Sequence, residues 1–368
     1  MKPTRLATVV LTALALVIPL PATVSAAPPG DHGQAKSLRQ AAPKGFRIGT
    51  AVAGGGHHET MPYPDPFTAD QPYRELLAAE FSSVSPENQM KWEYLHPERD
   101  RYDFTAADAI VRFAQRHRQV VRGHTLLWHS QNPAWLENGD FTPDQLRAIL
   151  RDHVSTVVGR YRGRIQQWDV ANEIFTETGA LRTTDNIWLR ALGPGIVADV
   201  FRWAHQADPH AKLFFNDYGV ESVNAKSDAY LSLIRELRAR GVPVHGFSAQ
   251  AHLSIRYDFP ADLEANLNRF SALGLETAIT ELDVRMDLPA GGVPTNAQLA
   301  QQADYYGRTL IACLNVRGCD SFTIWGFTDK YSWVPVFFEG EGAATVMWDD
   351  FSRKPAYYTL RSALATRR

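Results

Sequence analysis

Between residues 46 and 325 the chain alternates short apolar runs with longer segments whose apolar residues recur at helical spacing, and this alternation admits few folds. Strand-like runs at 46–51, 81–85, 120–125, 165–172, 212–217, 246–252, 278–283 and 321–325 number eight. Most are continuously apolar, the pattern of parallel strands covered on both faces. The clearest helical segment opens at Thr142-Pro143 and lines up Leu146, Ile149, Leu150, Val154, Val157, Val158 and Tyr161. Tyr230, Leu233, Ile234 and Leu237 mark a second apolar face, Leu299, Tyr306 and Leu310 a third, and a last short helix follows Pro355. The pattern predicts an α/β fold, a (β/α)8 TIM barrel forming a single domain over residues 43–368. A doubly wound open sheet would carry a glycine-rich phosphate turn after its first strand. Gly54-Gly55-Gly56 lies near that place but lacks the spacing and the Lys-Ser/Thr of such turns, and reads as a flexible loop.

Composition narrows the partners. A hydrophobic content of 45% supplies a large core and excludes a disordered chain. A net charge of −2 without a polybasic run argues against nucleic acid. Residues 1–26 read as an export signal: Lys2 and Arg5, then the apolar run 6–20, then Val24-Ser25-Ala26 at the cleavage site. That run of about 15 residues is short of the roughly 20 needed to span a bilayer. The expected product is therefore secreted and extracellular, with no membrane partner, and is taken as a monomer. Residues 27–42, rich in Ala, Pro, Gly and polar side chains, read as a flexible leader. In an exported protein Cys313 and Cys319 can pair, and the short loop they close is worth about 2 kcal/mol in the chain-entropy account.

Catalytic groups of a barrel sit at the C-terminal ends of its strands. Those ends carry Glu87, Asn88 and Lys91; His124, Trp128 and Gln131; Asn172 and Glu173; Asn216, Asp217 and Tyr218; Gln250 and His252; Glu281 and Asp283; and Trp325. Polar and aromatic groups at nearly every strand end, all on one face, describe a substrate cleft. The available chemistry is limited. His57-His58 and His124…His129 lack the His-Glu-x-x-His spacing of a zinc site and read as a surface pair and as a sugar contact with a packed neighbour. No metal or organic cofactor is called for. Ser82-Ser83 and Ser248 lack a nucleophile elbow. Carboxylates remain, and Glu173 and Glu281 end the fourth and seventh strands. Splitting a glycosidic bond needs one carboxyl group that is protonated and one that is ionised.

Seven ordered segments then become specific: Ser85-Pro86-Glu87-Asn88-Gln89-Met90-Lys91-Trp92, Arg122 to Gln131, Trp168-Asp169-Val170-Ala171-Asn172-Glu173, Phe215-Asn216-Asp217-Tyr218-Gly219, Gln250-Ala251-His252-Leu253, Ile279-Thr280-Glu281-Leu282-Asp283 and Trp325 to Trp333. Together, from Phe46 onward, they resemble glycoside hydrolase family 10, the endo-1,4-β-xylanases. Gln89, where that motif often has Glu, Ala171, where it often has Val, and the approach Phe247-Ser248-Ala249 depart from the family pattern. The resemblance implies xylan and xylo-oligosaccharides as substrates and a retaining double displacement. Glu281 is then the nucleophile and Glu173 the acid and base, with Asn172, His252 and Asp283 in support. Glu87, Asn88, Lys91, His124, Trp128, Gln131, Tyr218, Gln250, Trp325 and Trp333 are implied sugar contacts, although Trp128 taken alone reads equally well as core. Arg182 and Arg353 lack motif context and read as surface charges. Rival readings are a β-1,4-glucanase of the same barrel type and a non-catalytic carbohydrate-binding barrel. Xylose lacks the hydroxymethyl group of glucose, so tryptophan walls close to C5 favour xylan. The stretch 54–71 is long and rich in Gly, His and Pro, and reads as a loop at the cleft edge.

Overall fold

The structure, a computed structural model, describes residues 36–289 and 292–366. The expected export signal 1–26 lies outside the described residues. Eight strands form the barrel: β1 Arg47–Val52, β2 Ser83–Pro86, β3 Val120–Leu127, β4 Gln167–Asn172, β5 Lys212–Asp217, β6 Gly246–Ala249, β7 Glu276–Asp287 and β8 Cys319–Ile324. Each pairs in parallel with its neighbours in chain order, and β1 pairs with β8, which closes the sheet. The (β/α)8 barrel expected from the alternation is therefore present.

The strands are buried almost throughout, which is why they read as apolar runs. Packing between neighbouring strands depends on two glycines. A Cβ at Gly123 would lie 2.3 Å from the Trp168 ring, and one at Gly246 would lie 2.2 Å from Phe214. Each glycine on one strand makes room for an aromatic ring on a neighbouring strand. Outside the barrel, the helix Pro143–Arg160 begins where the sequence marks it. The Thr142 hydroxyl accepts from Gln145 N at 3.3 Å, and the Gln145 side chain accepts from Thr142 N at 2.9 Å. Leu146, Leu150, Val154, Val157 and Val158 are buried as the periodicity requires. The helices Ala225–Ala239 and Asn296–Asn315 cover further strands, and Pro355–Ala365 packs on Asn296–Asn315. Cys313 and Cys319 form the expected disulfide.

Three expectations need correction. The leader is not free up to residue 42, because Leu38–Ala41 is a helical turn with Leu38 and Ala41 buried. Leu38 N donates to the buried Glu80 at 2.8 Å, and Arg353 and Tyr357 reach the same carboxylate at 2.8 Å each. Arg353 is thus half of an ion pair that ties the C-terminal helix to Glu80. The sixth strand ends at Ala249, three residues early. Ala251 has φ 63°, so the chain turns there, and His252–Ser254 pairs instead with Asp283–Arg285 of β7. His57-His58 is not a surface pair, since His58 is buried.

Candidate active site

Most of the polar strand-end residues line one cleft at the C-terminal mouth of the barrel, whereas Asn216 and Asp217 are buried beneath it, Asp217 against Lys226 and Tyr230. Glu87, Asn88, Lys91, His124, Trp128, Gln131, Glu173, Tyr218, Gln250, His252, Glu281, Trp325 and Trp333 line the cleft. Asn172 and Asp283 are fully buried behind it.

Glu281, on β7, is 4% exposed and is surrounded by donors. Asn216 donates to its Oε1 at 2.7 Å, and His252 Nε2 lies 3.3 Å from its Oε2. His124 Nδ1 is 3.9 Å from Oε1. Burial pushes this carboxyl up, but the charges of His124 and His252 and the His252 hydrogen bond outweigh it and hold it below the ordinary glutamate range. His252 is fixed in turn: its Nδ1 is 2.9 Å from Asp283, which also accepts from Trp333 Nε1 at 2.7 Å. Burial works against the imidazolium, yet Asp283 and Glu281 raise His252 to about 10. Asp169 holds His124 at 3.0 Å and is itself gripped by Arg122. Burial raises Asp169 less than Arg122 and His124 lower it, so it stays an anion beneath the site.

Glu173 follows β4 and meets a different environment. Its backbone has φ 54°, a conformation that costs an L-residue roughly 1–2 kcal/mol. Glu173 N donates to Asn216 O at 3.0 Å and secures it. Neutral donors then converge on the carboxylate: Trp128 Nε1 at 2.8 Å, Gln250 Nε2 at 2.9 Å and Asn172 Nδ2 at 3.2 Å. Trp128 is thereby resolved as a cleft residue that aims Glu173, with Lys91 Nζ 4.9 Å from its ring centroid. The two glutamates share a continuous relay. Asn216 Nδ2 bonds Glu281 Oε1 and, at 2.8 Å, Asn172 Oδ1, and Asn172 bonds Glu173.

At one side of the carboxylates, Lys91 Nζ donates to Asn88 Oδ1 at 3.1 Å and to Gln131 Oε1 at 2.6 Å. Gln131 Nε2 bonds Glu93 at 2.7 Å, so Gln131 acts as a brace for Lys91 as well as lining the cleft. Burial lowers Lys91 against the pull of Glu87, Glu281 and Glu173. Asn88 Nδ2 donates to Gly54 O at 3.0 Å, and a Cβ at Gly56 would sit 2.8 Å from the Asn88 carboxamide. The glycine run therefore lets the 54–56 backbone lie against Asn88. The segment beyond it, Gly56–Thr60, is a 3-10 turn whose His57 reaches the cleft, as a loop at the edge should.

On the other side, Tyr218 accepts from Arg182 Nη2 at 2.8 Å, and Lys226 Nζ lies 3.7 Å from the Tyr218 ring centroid. Arg182 is thus a partner of a cleft residue, where the sequence reading had a surface charge. That reading also gave Asn216 no role, although it stands among the strand-end residues. Arg285, near the end of β7, lines the cleft too, as do His57, Glu221, Phe337 and Phe338 from turns and loops that no periodicity marks.

An α/β barrel whose mouth holds one charge-stabilised glutamate on β7 and one donor-ringed glutamate just after β4 defines a glycoside hydrolase. The family model for glycosyl hydrolase family 10 matches residues 37–363, and the chain belongs to that family. Among its relatives, endo-1,4-beta-xylanase B of Thermotoga neapolitana is 42% identical over 79% of this chain and 83% of its own length. An endo-1,4-beta-xylanase of Agaricus bisporus is 39% identical over 83% of this chain and 91% of its own. The solved structure of xylanase 10B from Thermotoga petrophila in complex with xylobiose superposes with a TM-score of 0.84 at 39% identity, covering 91% of this chain and 99% of that one.

Proposed function

We propose that the protein is a secreted endo-1,4-β-xylanase that cleaves internal β-1,4-xylosidic bonds with retention of configuration. The observation that carries the reading is the division of labour between the two glutamates in one cleft. Glu281, lowered by two histidines, is the ionised nucleophile. Its carboxylate attacks the anomeric carbon while Glu173 gives a proton to the departing glycosidic oxygen. A glycosyl ester of Glu281 and a sugar with a free 4-hydroxyl result. Glu173, now a carboxylate, takes a proton from water, and that water attacks the same carbon and frees Glu281. The neutral donors around Glu173 suit this role, because they stabilise the anion of the second step without fixing a permanent charge.

The remaining groups position the sugar. Lys91 has one N–H left for a sugar hydroxyl after Asn88 and Gln131 are bonded, and Asn172, buried behind the cleft, supports the site by holding Glu173 and Asn216 in place. Glu87 and Asn88 hold the next sugar on the non-reducing side, and Trp325 and Trp333 wall the cleft near C5. Export is supported by the n-region, apolar run and small-residue cleavage pattern of residues 1–26. A cleft complete within one chain supports action as a monomer.

The test uses two variants. Glu281→Ala abolishes turnover of every glycoside. Glu173→Ala slows xylan cleavage by about 10²–10⁴ yet spares the first step on aryl xylobiosides whose leaving group needs no proton. Equal loss of that first step in both variants would refute the assignment. Activity on cellulose alone would move the substrate to glucan, and no activity on either would leave a binding protein.

A further inference from the structure

At the lip of the cleft, three metal-ligating side chains outside the hydrolytic machinery of Glu173 and Glu281 come together. His57, His58 and Glu87 each bring one donor atom within 4.8 Å of the others. His58 Nε2 already lies 2.8 Å from Glu87 Oε2. The other ring nitrogen of His58 is 3.1 Å from the Tyr63 hydroxyl. His57 carries a buried Nε2 with no hydrogen-bond partner among the described residues. Its ring centroid is 3.9 Å from that of His58. We propose that His57, His58 and Glu87 form a zinc-class divalent cation site whose occupancy reversibly inhibits the enzyme.

The chemistry of the donors selects the ion. Two imidazoles and a carboxylate form a three-ligand set for a borderline transition-metal ion, with a fourth position left for water, and suit Mg²⁺ or Ca²⁺ poorly. Tetrahedral bonds of about 2.0–2.2 Å place ligand atoms roughly 3.3–3.5 Å apart. A turn of the His57 side chain by on the order of 1 Å brings the 4.8 Å span to that spacing. His58 Nε2 exchanges its hydrogen bond to Glu87 for the metal. Nδ1 then carries the ring proton, and the Tyr63 oxygen accepts it. Such a partner on the far ring nitrogen is what orients a ligating histidine.

Inhibition follows from the position of the site. His57 and Glu87 line the substrate cleft, and the rings of His57 and Phe337, another lining residue, meet edge-on with centroids 6.0 Å apart. A cation there takes the Glu87 carboxylate away from the sugar and stands in the path of the chain. The inhibitory consequence rests on the proposed function, whereas the binding does not.

Zinc binding to the mature protein is measured by calorimetry, with Mg²⁺ and Ca²⁺ as comparison ions. One Zn²⁺ per chain is expected, with affinity lowered more than about tenfold in His57→Gln, His58→Gln and Glu87→Gln, and about tenfold in Tyr63→Phe. If buried His58→Gln does not fold, His57→Gln at the half-buried lip carries the test. Zn²⁺ should also slow xylan hydrolysis competitively, with reversal by a chelator. Half-inhibition of His57→Gln, relative to its own metal-free rate, should need at least tenfold more Zn²⁺. No stoichiometric Zn²⁺ binding, or equal binding in the ligand variants, overturns the site. Binding without loss of xylan turnover overturns the inhibitory role, and a protein inactive on xylan would still report on the site through calorimetry.

Discussion

The chemistry of Glu281 depends on His252, and the two titrate in opposite senses. Replacing His252 with Asn removes a cation and a hydrogen bond, so Glu281 should rise. The acid limb of kcat/KM then moves to higher pH, and an unmoved limb would show that His252 does not hold the nucleophile ionised. Stability gives an independent reading. His252 has a folded value of about 10, above its ordinary 6.5. A raised value means its contribution is fully present below pH 6.5 and is lost as pH climbs toward 10. Urea unfolding across this window should show the wild type losing stability that His252→Asn never had, and parallel curves would contradict the linkage. Asn216 sits between both glutamates, bonded to Glu281 and Asn172. Asn216→Ala should cost about 1–3 kcal/mol of stability by leaving buried partners unpaired, together with a fall in kcat. The glutamates stood out in the sequence because they lie inside dense motifs at the ends of expected strands, although β7 runs on past Glu281 to Asp287. The coupling through Asn216 did not, since a hydrogen bond between β4 and β5 side chains leaves no sequence pattern.

Elements join around Glu80. Its buried carboxylate holds Leu38 N, Arg353 and Tyr357, and so fastens the first helical turn and the last helix to Gln71–Glu80. Glu80→Ala should lower unfolding free energy by about 1.5–3 kcal/mol, the worth of hydrogen bonds to a charged group, without altering the KM of the folded enzyme. A change in urea midpoint within error would sink this role. Opening the Cys313–Cys319 loop by a double Ser substitution should cost about 2 kcal/mol, read in the same experiment. Strand order and the long helices were readable from periodicity, and β5 matched to the residue. The leader boundary was misread because a single helical turn is too short to show a period. Only Ser37 and Gln40, whose side chain accepts from Ser37 N at 3.0 Å, marked it. The end of β6 was misread because an alanine in left-handed backbone looks like any other alanine.

For the whole molecule, the barrel provides a rigid ring of strand ends, and the loops give the cleft its selectivity. Trp325 and Trp333 are held by neighbours on the site itself: Trp325 packs edge-on to His124 at 5.4 Å, and Trp333 bonds Asp283. A wall fixed in this way does not yield to a hydroxymethyl group. Initial rates on a xylobioside should therefore exceed those on the cellobioside with the same leaving group by at least about tenfold, a methylene-scale discrimination, and equal rates would remove the steric argument. The loops were the part least visible in sequence: His58 in the 54–71 stretch looked exposed, yet it packs beneath the cleft lip against Glu87. The central claim is that Glu281 attacks a xylosyl anomeric carbon. It is tested most directly by incubating the protein with an activated 2-deoxy-2-fluoro-xylobioside, which slows release of the ester, and mapping the labelled peptide by mass spectrometry. A stoichiometric fluoroxylobiosyl group on Glu281 is the predicted result; label on Glu173, or hydrolysis of xylan with no trapped ester, would contradict it.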